Sequence, residues 1–166
     1  MILLSDTRQQ VGKHRNIEMY CKQHGITIVR KCLPIGDYML SEDGKNPSGN
    51  ISVDTKMDLL ELCKCVMSND HRRFRDECIR GQIADIKLIV LTEEYPPFGK
   101  VDLWEVPRFK SSDKWHRYGD PITLINPKTF SKALQTMTEK YDVQFRFCTR
   151  RQSPDRLIKY LKGEFK

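Results

Sequence analysis

Asp37, Asp54 and Lys56 are the side chains of this 166-residue chain whose types and spacing point most directly to chemistry. They lie in the stretch Pro34 to Lys56, which reads P-I-G-D-Y-M-L, a turn-rich link from Ser41 to Asn50, then I-S-V-D-T-K. Ile, Val and Leu flank Gly, Asn, Pro and Ser, the pattern of a β-hairpin with a long loop. Successive strand residues alternate faces, so Asp54 and Lys56 point one way and Val53 and Thr55 the other. Pairing of the two strands would bring Asp37, at the Gly36-Asp37-Tyr38 bend, alongside. Two carboxylates and the main-chain carbonyl of Thr55 are oxygen donors suited to a hard divalent cation such as Mg²⁺, which keeps several of its waters. Such an ion polarises a phosphoryl oxygen and acidifies a bound water, while Lys56 would orient that water or stabilise the developing charge. The competing reading is three surface charges on a hairpin.

Two basic clusters accompany this one. His71 to Glu77, H-R-R-F-R-D-E, carries Arg72, Arg73 and Arg75, with Arg80 close behind. These guanidiniums suit phosphate oxygens, which they can bind bidentately. The alternative is a solvated helix face with Arg73 and Glu77 paired at i, i+4, or Glu77 as an extra acid near the metal. Arg8, Lys13, His14 and Arg15 follow Asp6. Arg8 is expected beside the acidic site, the other three are equally well a solvated face, and His14 is a weak candidate for a general base. Lys110 to Arg117, with Trp115 and Tyr118, mixes cations and aromatics as single-strand binders do, or is a loop packed on the core by its Trp.

A net charge of +7 and a pI near 9.1 favour a polyanionic partner, the alternative being a merely basic solvated surface. Hydrophobic residues at 39% and charged residues at 31% describe a soluble globular chain of one-domain size, spanning 1–166. No apolar run approaches the roughly 18 residues of a membrane span, and the N-terminus is too short in apolar residues for a signal peptide. Six cysteines without C-x-x-C spacing or a spaced His partner read as free thiols in a reducing cytoplasm.

The elements that must position the candidates alternate in type. Strands are expected at Ile2 to Ser5, Ile26 to Arg30, within the hairpin, at Lys87 to Leu91 as a central strand buried on both faces, and at Val143 to Cys148. Helices are expected at Gln10 to His24, after Lys56 with Leu59, Leu62, Cys63 and Val66 inward, and at His71 to Ile83 with Asp70 as a candidate N-cap. Two more follow, Asn126-Pro127 to Tyr141 and Asp155 to Lys162 after Ser153-Pro154. Glu94 to Asp120 reads as an irregular insertion with one helical turn near Leu103. The order implies a three-layer α/β/α sandwich around a mixed sheet, with active residues at strand ends.

At this point the residues resemble a known family. Gly36-Asp37-Tyr38, a variable hairpin, then Val53-Asp54-Thr55-Lys56 and Asp58-Leu59-Leu60-Glu61-Leu62 are similar to the XPF-type (ERCC4-type) nuclease domain, a branch of the PD-(D/E)xK restriction-endonuclease-like fold. That family's signature is G-D-x-n-E-R-K-x-x-x-D after a first strand ending D-x-R-E. Here the first strand ends Asp6-Thr7-Arg8-Gln9 and the E-R-K slot is Asp54-Thr55-Lys56. Gln9, Thr55 and the early acid Asp58 depart from the pattern. The resemblance implies a Mg²⁺- or Mn²⁺-dependent DNA endonuclease with Asp37 and Asp54 as ligands, Lys56 as catalytic lysine and Asp6 as a further acidic member. It also implies Arg73-Phe74 near the DNA, a substrate of branched, flap or otherwise structured DNA, a role in phage-type recombination, repair or replication, and a homodimer through the C-terminal strand and helix. The rival from another class is a DNA-binding or scaffolding protein that keeps the fold without cutting.

Overall fold

The computed structural model describes residues 1–68, 70–105 and 126–165. Six strands form one mixed sheet: β1 (Ile2–Asp6), β2 (Thr27–Lys31), β3 (Tyr38–Ser41), β4 (Ile51–Lys56), β5 (Lys87–Thr92) and β6 (Gln144–Phe147), in the order β2-β1-β3-β4-β5-β6. β3 runs antiparallel to both β1 and β4, whereas β1–β2, β4–β5 and β5–β6 are parallel pairs. Helices α1 (Arg15–Gln23), α2 (Leu59–Met67), α3 (His71–Ile83), α4 (Pro127–Tyr141) and α5 (Ser153–Leu161) cover its two faces.

Strand alternation divides the core. Leu3, Val53, Ile89 and Leu91 are buried with Ile17 and Cys21 of α1 and Leu157 and Ile158 of α5. Leu88 and Val90, one residue out of phase, pack with Leu59 and Leu62 of α2, Phe74 of α3 and Phe130 of α4. Each such aliphatic side chain removed from water stabilises the fold by about 1.5–3 kcal/mol before conformational entropy is counted. The same parity puts Thr55 on the α1 side of β4 and Asp54 and Lys56 on the α2 side, as the alternation predicts. α/β/α layering and the hairpin are therefore as expected, and no helix among the described residues is long and apolar enough to cross a membrane.

Several boundaries differ from expectation, each for a local reason. α1 starts at Arg15 rather than Gln10 because residues 11–14 form turns, with Gly12 at φ +78°. α3 and α4 have the expected bounds, but the Asp70 side chain makes no capping bond, whereas Asn126 does, accepting from Lys128 N at 2.9 Å. Ser153 is the first residue of α5 and not its cap. In the insertion a 3₁₀ turn covers Val101–Leu103, where the helical turn was expected, but Lys110 to Arg117, Trp115 and Tyr118 lie outside the described residues. All six cysteines are free, and Cys32 is exposed despite its apolar context.

Gly36 sets the entry to β3. Its φ is +66°, and an added Cβ would lie 2.2 Å from Ser52 Oγ, which is itself buried and donates to Ile35 O at 2.8 Å. Only glycine allows this bend so close to β4. Gly36→Ala is expected to lower unfolding free energy by about 1–3 kcal/mol, read as a lower urea midpoint; an unchanged midpoint would contradict this account.

Candidate active site

Asp37 is fixed from three directions by backbone bonds of the bend. Its N–H donates to Val53 O of β4 at 2.9 Å, its carbonyl accepts from Asp6 N of β1 at 2.8 Å, and the preceding Gly36 N–H donates to Glu77 Oε1 of α3 at 2.8 Å. The side chain is held as well: Thr55 N (2.9 Å) and Thr55 Oγ1 (2.6 Å) both donate to Asp37 Oδ2. On the same strand end Lys56 Nζ donates to Asp54 Oδ2 at 2.6 Å. Thr55, expected to face away from the site, does lie on the other face of β4 but still reaches Asp37 through its hydroxyl, because Asp37 sits on a bend beside β4.

Electrostatics follow from this crowding. Burial, then the Asp54 carboxylate beside it, pushes Asp37 up to about 7, against the opposing pull of Lys56 and the Thr55 hydrogen bonds. Burial alone would lower Lys56, but the Asp54 and Asp37 carboxylates outweigh it, and the ammonium is held well above its ordinary value. The residues therefore suit a hard cation: two carboxylates converge where one ammonium is the close counter-charge, and hard oxygen donors are what Mg²⁺ or Mn²⁺ takes. Among the described residues no group of three or more His, Cys, Asp or Glu side chains is arranged to hold an ion.

Asp6 lines the same cleft as Asp37 and Asp54, and its carboxylate is engaged by donors on several sides. Arg8 donates to both its oxygens (Nε to Oδ1 2.8 Å, Nη2 to Oδ2 2.7 Å), and the amides of Arg8 and Leu33 donate as well, at 2.7 and 2.8 Å. Burial would raise the carboxyl, but these bonds from Arg8 and Leu33 hold it below the usual carboxylate range. Arg8 also donates to Leu33 O at 2.7 Å. In this arrangement the pair ties β1 to the segment before the bend.

The bend, β4, α2 and α3 enclose a cleft of about 420 Å³. Of the four arginines expected to face DNA, Arg8 and Arg73 line it and Arg72 and Arg75 do not. The reason is helical spacing: Arg73, Glu77 and Arg80 share one face of α3, while Arg72 and Arg75 lie about 100° or more around it, and Arg75 pairs with Asp76 at 3.1 Å. Glu77 also lines the cleft, where it accepts from Gly36 N at 2.8 Å rather than forming the alternative i, i+4 pair with Arg73. Asp58 caps α2, accepting from Glu61 N at 2.7 Å. Lys13, read equally as solvated, reaches into the cleft and pairs with Glu61 at 2.5 Å. Arg80, counted with the arginine cluster, also lines it, as do Lys64 and Cys65 of α2, which carried no distinguishing pattern beyond helical phase.

A mixed sheet sandwiched by helices, with a D…D-x-K cluster at a strand end opening into a basic-rimmed cleft, defines a restriction-endonuclease-like α/β domain. The model of the ERCC4 domain family matches residues 5–161, and the chain belongs to that family. Among solved structures the chain is similar to XPF from Aeropyrum pernix, at TM-score 0.60 and 15% identity over 100% of this chain and 66% of that one. It is likewise similar to XPF from Aeropyrum pernix in complex with DNA, at TM-score 0.59 and 16% identity over 98% of this chain and 64% of that one. The chain thus spans slightly under two thirds of the length of either. A comparison with curated protein sequences finds no match.

The raised Asp37 carboxyl has a thermodynamic signature. Between its unfolded value near 3.8 and its folded value of about 7, the folded state keeps a proton the unfolded state has lost, so stability falls as pH rises through that window and is level above it. Asp37→Asn removes the penalty. Without divalent cations the variant is expected to be more stable than wild type by about 2 kcal/mol at pH 8, with no advantage near pH 4. Urea titrations at the two pH values check this; an advantage independent of pH would contradict it.

Proposed function

We propose that this domain is a divalent-cation-dependent DNA endonuclease that hydrolyses phosphodiesters. The observation that carries the reading is the convergence of Asp37, Asp54 and Lys56 in a cleft rimmed by Arg8 and Arg73. Asp37 and Asp54 would hold Mg²⁺ or Mn²⁺, with the Thr55 carbonyl as a further donor; when bound, the ion supplies Lewis-acid polarisation and a more acidic water. Lys56, kept protonated by the two carboxylates, offers its N–H donors and positive charge to the oxygens that gain charge as the phosphorus is attacked. Arg73, from α3, and Arg8, from the end of β1, would position flanking phosphates rather than react. Arg72 and Arg75, outside the cleft, would contribute at most to a more distant stretch of DNA. Asp6 supports the site by fixing Arg8 and the segment at Leu33.

The proposed substrate is branched, flap or otherwise structured DNA, in recombination, repair or replication of the phage type, with the whole of 1–166 acting as one nuclease domain. Family membership and the basic charge support DNA as the polymer. A homodimer through β6 and α5 belongs to the same reading: β6 is an edge strand, bonded on one side only among the described residues, and could extend a sheet.

Cleavage of flap, branched and plain duplex DNA with Mg²⁺ or Mn²⁺ tests this. Wild type is expected to cut flap or branched DNA, and Asp54→Ala and Lys56→Ala are expected to lower the rate at least about 100-fold while binding DNA within about threefold of wild type. Binding without cutting by the wild type would favour a scaffolding role, and full activity in either variant would reject the site.

A further inference from the structure

Behind the carboxylates lies a buried polar chain that the proposed chemistry does not use. Thr55 Oγ1 lies 3.1 Å from His14 Nε2 and 3.4 Å from Gln9 Nε2, and His14 is 3% exposed. Gln9 is itself held: its Oε1 accepts from Ser5 Oγ at 3.2 Å, and its carbonyl, with that of Thr7, accepts from Arg30 at 2.9 Å. A hydroxyl has one hydrogen and can be an acceptor in the remaining directions. Next to an ionised Asp37, which only accepts, the Thr55 hydrogen must point at Oδ2, and the lone pairs of Oγ1 then face Gln9 and His14. Both must donate. If His14 presented a bare Nε2 instead, it would compete with Asp37 for the same hydrogen and the carboxylate would lose its shortest bond.

We infer that His14 is a positioning residue for Asp37, acting through Thr55: its Nε2–H fixes the direction of the Thr55 hydroxyl, which pins Asp37 Oδ2 and leaves Oδ1 as the oxygen presented to a cation. The inference rests on the reading of Asp37 as a cation ligand. The other ring nitrogen, Nδ1, is buried and has no hydrogen-bond partner among the described residues. His14 Nδ1 lies 3.9 Å from Glu93 Oε1, too far for a hydrogen bond, and Glu93 Oε1 accepts from Asn16 at 2.9 Å with Arg150 3.9 Å from its other oxygen. The imidazole is therefore fixed mainly by its contact with Thr55 and by burial at the N-terminal end of α1. A partner one bond removed from a ligand, as Thr55 is from Asp37, orients it and is worth about 10- to 100-fold in metal affinity, and His14 acts one bond further out by directing that hydroxyl.

Two measurements test it. NMR of protein labelled with ¹⁵N-histidine reads the ring directly, without substitution: the His14 Nε2 is expected to carry hydrogen at pH 8, and a bare Nε2 overturns the inference. Calorimetric Mn²⁺ binding without DNA then tests the coupling. His14→Phe and Thr55→Val are each expected to weaken binding about tenfold, the double variant to bind no more weakly than Thr55→Val, and His14→Gln, which retains a donor, to bind near the wild-type level. Losses that multiply in the double variant, or wild-type affinity in a folded His14→Phe, overturn the inference and leave the proposed function intact. Absence of Mn²⁺ binding by folded wild type would overturn both.

Discussion

Holding Asp37 and Asp54 together at one end of a buried strand costs folding free energy, and much of the surrounding architecture bears that cost. A carboxylate placed where water scarcely reaches prefers its proton, which is why Asp37 titrates near neutrality. Lys56 offsets part of the repulsion by its bond to Asp54, and Thr55 contributes two donors to Asp37. Those donors have fixed positions only because β4 is clamped between β3 and β5 and its side chains alternate between two well-packed cores. The bend at Gly36 completes the arrangement by delivering Asp37 from the antiparallel neighbour. Take away the glycine conformation and the two carboxylates no longer share a strand end.

The sequence was most informative where period and chemistry coincide. I-S-V-D-T-K fixed both the existence of β4 and the face carrying Asp54 and Lys56, since period-2 alternation assigns faces without knowledge of the fold. Asn126-Pro127 marked the start of α4 through a cap and a missing amide, both local effects. What could not be read was how an acid is satisfied by residues distant in sequence. Asp6 looks like any other acid near a strand end until Arg8 folds back on it and Leu33 arrives from 27 positions downstream. Alternation put Thr55 on the face of β4 opposite Asp54 and Lys56, but its bond to Asp37 depends on a bend whose angle no pattern specifies. In α3 the arginines were counted as a cluster although helical phase separates Arg73 from Arg72 and Arg75, a distinction that the 3.6-residue period already contained.

Acid residues near the cleft sort themselves by what compensates them, and this sorting is the physical ground for assigning roles. Asp6 accepts four hydrogen bonds, two from a guanidinium. Asp58 caps a helix, and Glu61 accepts from the Met57 amide at 2.7 Å and pairs with Lys13. Glu77 receives the Gly36 amide. Each of these is an anion whose charge is met by donors of fixed geometry, so it serves to hold backbone in place. Asp37 and Asp54 are different: two buried carboxylates with one ammonium, bonded to Asp54, leave a net negative charge at the strand end when both are ionised. Such an imbalance is unfavourable for folding alone, and a divalent cation would reverse its sign of contribution. It follows that the residues most costly to folding are those with most to gain from such an ion.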